Sequence, residues 1–217
     1  MCIRDRAWAA HAHWLLGHDE EAQASADRAI ATARALEDPY NLALALAYGA
    51  VGDQMRHDLP RLRNTVGELR ELCDRYDFAY YREWGLILDG WSRADGPCLD
   101  LAQQGIGNLK AEGSFTRMPY WLSLLADLLA GLDRLDAARA NLDAALVAAR
   151  AHDDLWWLPE VMRMRAAYDD EEAAVARLRA AARLASAHGS VALLRRCERD
   201  LRTRGVRLAA PDVLPAK

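Results

Sequence analysis

The stretch Ala137-Ala138-Arg139-Ala140-Asn141-Leu142-Asp143-Ala144-Ala145-Leu146-Val147-Ala148-Ala149-Arg150 decides the fold. Ala138, Leu142, Ala145, Leu146 and Ala149 recur at i, i+4, i+7, i+8 and i+11, the spacing of one apolar stripe on an α-helix, while Arg139, Asp143 and Arg150 lie off it. The pattern returns along the chain. Five segments, Ala7 to Glu37, Pro39 to Asp77, Phe78 to Gly113, Arg117 to Asp153 and Leu155 to Gly189, each carry a helix, a short polar break and a second helix with a charged stop. With the second helices aligned on their endings, Ala22, Leu62, Cys98, Ala138 and Ala174 correspond, at separations of 40, 36, 40 and 36 residues. Seven positions further on stand Ala29, Leu69, Gly105, Ala145 and Ala181, mostly small residues that let two helices approach closely. A single hairpin cannot bury such a stripe by itself, so neighbouring hairpins must stack to form the core.

Composition agrees with this reading. Ala (43) and Leu (33) make up about 35% of the 217 residues, whereas Val, Ile and Thr together supply 16. That is too few β-branched residues for a sheet of any size, which excludes α/β enzyme folds, β-sandwiches and parallel-sheet nucleotide-binding domains. The breaks Gly17-His18-Asp19-Glu20-Glu21, Ala94-Asp95-Gly96-Pro97 and Gly131-Leu132-Asp133-Arg134 combine a stop with acids suited to the next helix start. Pro39, Pro60, Pro119 and Pro159 fall near helix starts, where a missing N–H costs little. Val191 to Gly205 reads as a capping helix with one wet face, and residues 206–217 as a tail. The expected fold is all-α: an α-α superhelix, a right-handed solenoid of about five helical hairpins plus a C-terminal cap.

Net charge is −4, which names no partner. The opening Met1-Cys2-Ile3-Arg4-Asp5-Arg6 resembles, residue for residue, the translation of a transposase sequencing adapter, and has no apolar segment of a signal peptide. Residues 1–6 are therefore set apart from the 7–205 repeat, and the natural protein is expected to continue upstream of Ala7. Without them three cysteines remain, Cys73, Cys98 and Cys197, an odd number without paired spacing, as expected of reduced thiols in a cytoplasmic protein. No apolar run reaches the roughly 18 residues of a membrane span.

The helical pattern is a tetratricopeptide-type one, and several stretches carry a more specific resemblance. These are Ala12-His13-Trp14-Leu15-Leu16-Gly17, Trp84-Gly85-Leu86-Ile87-Leu88-Asp89-Gly90-Trp91, Pro119-Tyr120-Trp121-Leu122 with Leu125-Ala126, and Leu155-Trp156-Trp157 followed by Arg163 to Arg165. In them the chain resembles the MalT-like tetratricopeptide tail of bacterial multidomain regulators, which join a nucleotide-cyclase domain or a LuxR-type DNA-binding domain to an ATPase and then to helical repeats. One departure is Tyr168-Asp169-Asp170, which joins the fifth pair where such tails often carry a longer insertion. The resemblance implies a protein-interaction or sensor module whose partner is another protein, or the upstream ATPase domain of the same polypeptide, together with a small-molecule effector. It implies no direct nucleic-acid contact and no membrane.

Catalytic patterns do not form. Gly85 and Gly90 have the P-loop separation, but Trp91 follows where Lys is required. Gly105-Ile106-Gly107 lacks the third glycine and the preceding strand of a dinucleotide fingerprint. His11 and His13, two apart, face different sides of a helix and cannot share a zinc ion. His152 and His188 sit at helix ends, where the dipole explains them, and Asp169-Asp170-Glu171-Glu172 suits a helix start better than a metal. Cys98 follows Pro97 at a helix start, a setting that lowers a thiol pKa, yet no base has a fixed relation to it. Six arginines between Arg195 and Arg207 lack interleaved aromatics and read as a solvated cap, not a nucleic-acid surface.

The concave face of a solenoid is lined by the first helices of its pairs. Tyr80, Glu83, Trp91, Tyr120, Asp127, Trp156 and Arg163 are the polar or aromatic first-helix residues proposed for a ligand or partner groove, while Trp84 and Trp91, seven apart, also suit core positions. No catalytic residue, metal or cofactor is expected. A free-standing scaffold is the alternative to a signalling module, and an enzyme with an unrecognised site is the third reading.

Overall fold

The computed structural model describes residues 2–93 and 96–208, with the side chains of 96 and 97 outside that set. The Ala94-Asp95 part of the third break and the tail beyond Leu208 lie outside the described residues. Among the described residues the chain is all-α, as its composition requires. The helices are α1 (Ile3–Leu15), α2 (Asp19–Ala35), α3 (Pro39–Met55), α4 (Leu59–Tyr76), α5 (Ala79–Arg93), α6 (Gly96–Ala111), α7 (Met118–Gly131), α8 (Leu135–Ala151), α9 (Leu158–Arg165), α10 (Glu171–Ala187) and α11 (Val191–Thr203). They pack as sequential antiparallel pairs in two compact units, the first carrying α1–α6 and the second α7–α11.

Within each unit the order of contacts is that of stacked hairpins. The second helix of a pair also meets the first helix of the next, as in α2 on α3, α4 on α5, α8 on α9 and α10 on α11. First helices form a layer of their own, α3 on α5 in the first unit, α7 on α9 and α9 on α11 in the second. The positions aligned from sequence are core positions: Ala22, Leu62, Ala138 and Ala174 are fully enclosed, Cys98 nearly so, and Ala29, Leu69, Ala145 and Ala181 repeat this two turns on. Side-chain bonds spanning neighbouring hairpins recur at nearly one repeat length. Arg34 reaches Glu68 and Trp157 reaches Ser123, both 34 residues apart, and His11 reaches the Tyr48 carbonyl 37 residues on.

Local chemistry sets the helix boundaries. Asp38 accepts hydrogen bonds from the Tyr40 and Asn41 amides at 3.1 Å, with Pro39 in the first turn of α3. Asp58 does the same for the Arg61 amide and Asp170 for that of Ala173. This capping accounts for part of the acidic run 169–172; Asp169 instead binds Arg165 and Arg177. α1 extends back to Ile3, whose side chain is buried, so the adapter-like residues prolong the first helix in place of lying outside it. α9 is only eight residues long. It begins after Trp157 and passes into a 3₁₀ turn at Ala166–Tyr168, which leaves Leu155-Trp156-Trp157 outside the helix expected to start there.

The glycines excluded as nucleotide motifs have packing work. A Cβ at Gly90 would overlap the Cys98 carbonyl oxygen, and one at Gly105 would stand 2.7 Å from Ile87 Cγ1 and 2.8 Å from the Glu83 carbonyl oxygen. These two residues let α5 and α6 meet backbone to backbone. A Cβ at Gly107, on the same helix, would meet nothing within 4 Å. Gly107→Ala is expected to raise stability by up to about 1 kcal/mol through helix propensity. Gly105→Ala is expected to lower it by about 1–3 kcal/mol through overpacking. Urea melts of the two variants check the sign reversal.

Candidate functional site

The first-helix layer of the first unit carries a chain of aromatic rings. Trp8 on α1 meets Tyr48 on α3 at 5.2 Å between ring centroids, and Tyr48 meets Trp84 on α5 at 5.4 Å. Trp84 touches Tyr80 and Tyr81 at 5.5 and 5.8 Å, and Tyr81 in turn meets Tyr40 at 5.8 Å. Trp8, Tyr48 and Trp84 are 40 and 36 residues apart, the same rhythm as the second-helix stripe. They hold equivalent places in three successive hairpins. The middle of the chain is core, with Trp84 1% exposed. Two of its members are open, Trp8 at 50% and Tyr40 at 51% exposed, and from Tyr40 the rings run on to Phe78 and Tyr76. Exposed large aromatic surface contiguous with a rigid core is the kind of feature that marks an interaction site.

Buried acids brace this layer from behind. Asp53 on α3 and Asp89 on α5 are 36 residues apart, and both are buried. Asp53 accepts from Arg56 at 2.7 Å, Arg61 at 2.9 Å and Thr65 at 2.9 Å. Burial raises its pKa above the ordinary carboxylate value, against the lowering effect of Thr65 and the two arginines. Asp89 holds Arg93 at 2.7 Å and also Arg70. Glu83 accepts from Asn108 at 2.8 Å, linking α5 to α6.

The second unit has a mixed aromatic and ionic cluster. Glu160 on α9 accepts a two-pronged bond from Arg163 at 2.9 and 3.0 Å and another from Arg196 on α11 at 2.6 Å. Arg163 also donates to Asp200 at 2.6 Å. The Glu160 side chain is only 4% exposed. Burial alone would push its pKa up, but the guanidinium groups of Arg163 and Arg196 overcome that and hold it at about 2. The Arg196 guanidinium lies 5.9 Å from the Trp157 ring centre, and the Arg117 guanidinium 4.9 Å from that of Trp156. The Arg117 amide donates to Asp154 at 2.7 Å, and Trp157 Nε1 donates to Ser123 at 3.0 Å. Arg196 is therefore an internal cross-link; the wet-face reading of the capping helix does not apply to it.

The residues proposed from sequence divide between the units. Tyr80, Glu83 and Trp91 lie on α5. Tyr80 is half-buried beside Trp84, while Glu83 and Trp91 are buried. Tyr120, Asp127, Trp156 and Arg163 lie in the second unit. Tyr120 is wholly enclosed between the rings of Trp121, Trp156 and Trp157, which raises its pKa by burial, and a ligand reaches it only if helices part. Asp127 is exposed on α7, Trp156 is half-buried under Arg117, and Arg163 is occupied by Glu160 and Asp200. Sequence reasoning missed Trp8, Tyr40 and Tyr48, although the 40-and-36 spacing of Trp8, Tyr48 and Trp84 could have found two of them.

Cys73, Cys98 and Cys197 are buried, and burial raises the thiol pKa of Cys73 to about 11 and of Cys197 to about 12. Among the described residues no group of three His, Cys, Asp or Glu side chains could hold a metal ion, and no helix is long and apolar enough to cross a membrane. No family model matches the chain. It is 26% identical over 202 residues to an uncharacterized protein of Rhizobium meliloti (strain 1021), an alignment covering 89% of this chain and 20% of that protein. The chain thus spans about a fifth of the length of this relative, and is a helical-repeat domain distantly similar to one part of a much larger bacterial protein.

Proposed function

We propose that the chain is a non-catalytic, tetratricopeptide-like interaction and sensor module of a larger bacterial signalling or transcriptional regulator of the MalT-like, ATPase-containing kind. The observation that carries this reading is the aromatic chain across α1, α3 and α5 with its exposed members Trp8 and Tyr40. Its partner is another part of the same polypeptide, a choice supported by the four-fifths of the relative that lies outside the matched region. Partner binding at Trp8 and Tyr40 would favour one stacking of α1, α3 and α5 over another, and that differential affinity would transmit an effector's signal.

The test titrates this chain against the remainder of its parent polypeptide by calorimetry. Saturable binding is expected, weakened about tenfold or more in the Trp8→Ala, Tyr40→Ala double variant. Leu135→Ala with Val147→Ala, which trims exposed apolar residues of α8, should leave it unchanged. Absence of binding, or equal loss in both double variants, rejects the proposal.

A further inference from the structure

α1 has no wet face of its own. From Ala7 to Leu16 the sequence carries no Asp, Glu, Lys or Arg, and a helix that is apolar on every side is one that neighbours enclose. The contrast is with α11, which turns Arg195, Arg199 and Arg202 to water at i, i+4 and i+7. After Arg6 the positions that α1 exposes are Trp8 and Ala12. Terminal repeats of a solenoid need a polar outer face to stay soluble. α11 presents such a face and α1 does not.

The repeat shows what this face meets elsewhere in the first unit. Ala9, Gly49 and Gly85 are 40 and 36 residues apart and follow Trp8, Tyr48 and Trp84 directly. A Cβ at Gly49 would stand 3.2 Å from Ile30 Cδ1 on α2, and one at Gly85 2.9 Å from Arg70 Cγ on α4. Ile30 and Arg70 are themselves 40 residues apart. In both places, therefore, the small residue of a first helix receives the same side-chain position of the preceding second helix. The rings follow the same rule, since Tyr48 packs on Trp8 of the hairpin before it and Trp84 on Tyr48. Gly52 and Leu88, the counterparts of Ala12, are buried, as are Tyr48 and Trp84. On α1 the same three positions are open: Trp8 and Ala12 are exposed and Ala9 is half-buried.

We propose that Trp8, Ala9 and Ala12 form the docking face for one further helical hairpin of the parent polypeptide, encoded directly upstream of Ala7. Its first helix sets an aromatic ring on Trp8, and its second helix sets a side chain on Ala9. The hairpin continues the α1, α3, α5 layer by one step at the spacing that layer already has. The matched region is only a fifth of the relative, so a longer parent has room for it. This inference rests on the reading that the partner belongs to the same polypeptide, and it names the segment. An aromatic residue is accordingly expected 36 to 40 residues before Trp8, the separations of Trp8, Tyr48 and Trp84.

The test compares the present chain with one that begins roughly 40 residues earlier, about one repeat length, and carries the natural residues in place of 1–6. Ala12→Cys is introduced into both, with Cys2→Ser in the shorter chain, because Cys73, Cys98 and Cys197 are buried. Maleimide labelling of the new thiol is expected to be about tenfold or more slower in the longer chain, where the docked hairpin must open first. Replacing the upstream aromatic by Ala should restore fast labelling. Ala12→Arg provides a second variant: in the shorter chain it lies in water and leaves the urea midpoint unchanged, whereas in the longer chain it lowers the midpoint by blocking the docking. Equal labelling rates in the two chains, or upstream residues without a helical hairpin, overturn the proposal. So does protection of the thiol in the shorter chain that grows with protein concentration, which would make a second copy the occupant. Fast labelling in the longer chain with calorimetric binding of the parent remainder intact overturns the hairpin alone; loss of that binding rejects the reading on which it rests.

Discussion

Glu160→Ala is expected to destabilise the second unit by about 3–5 kcal/mol, the cost of removing one partner from a buried ion pair. The loss is large because of what remains. Arg163 and Arg196 keep their charges inside the layer formed by α9 and α11, and Asp200 remains beside Arg163. Glu160→Gln keeps the shape and tests the charge alone. The same pair sets an acid dependence. The folded pKa of Glu160 is depressed to about 2 from an ordinary 4.5, so its stabilisation is present above pH 4.5 and is lost as the pH falls towards 2. On the usual conversion this amounts to roughly 3 kcal/mol across that window. Urea melts between pH 6 and 2.5 should show a steep acid loss in the wild type and a flatter limb in Glu160→Gln. Equal slopes would contradict the assignment.

Trp84→Ala is expected to cost about 3–5 kcal/mol, the range for emptying a large aromatic site in a core that collapses only partly. Trp84 is nearly fully buried and touches Tyr48, Tyr80 and Tyr81, so its removal takes the centre from the chain of rings joining α3 to α5. Trp8→Ala removes a ring that is already half in water and should cost far less, although both residues hold the same place in their repeats. Chemical denaturation followed by far-UV circular dichroism distinguishes the two.

Helices and their repetition were legible in the sequence because small and large apolar residues alternate at a period that only stacked helices satisfy. Ala138, Leu142, Ala145 and Ala149 were read as one stripe and are one buried face. The aromatic face was less legible. A helical period says which residues share a side; it does not say which of them a neighbouring hairpin will cover. Tyr120 and Tyr40 are both tyrosines near the start of first helices, yet Tyr120 is enclosed by Trp156 and Trp157 from the next hairpin while Tyr40 stays open. That covering follows from the start of α9 at Leu158, which leaves two tryptophans outside the helix; Pro159 in the first turn marks that start, but no local signal says which ring the two tryptophans will cover. Glu160 and Arg196, 36 residues apart, became partners only when α9 met α11. Gly90 and Gly105 were set aside as nucleotide motifs, but their packing role depends on backbone atoms of the opposite helix, which sequence spacing does not reveal.

The central claim, that the first-helix layer of α1, α3 and α5 is the face that engages a partner, is tested most directly by hydrogen–deuterium exchange of the chain with and without the remainder of its parent polypeptide. Added protection is expected in α1 around Trp8, at the start of α3 around Tyr40 and in α5 around Tyr80, with α2 and the outer side of α4 unchanged. Protection confined to α2 and α4, or none at saturating partner, would contradict it.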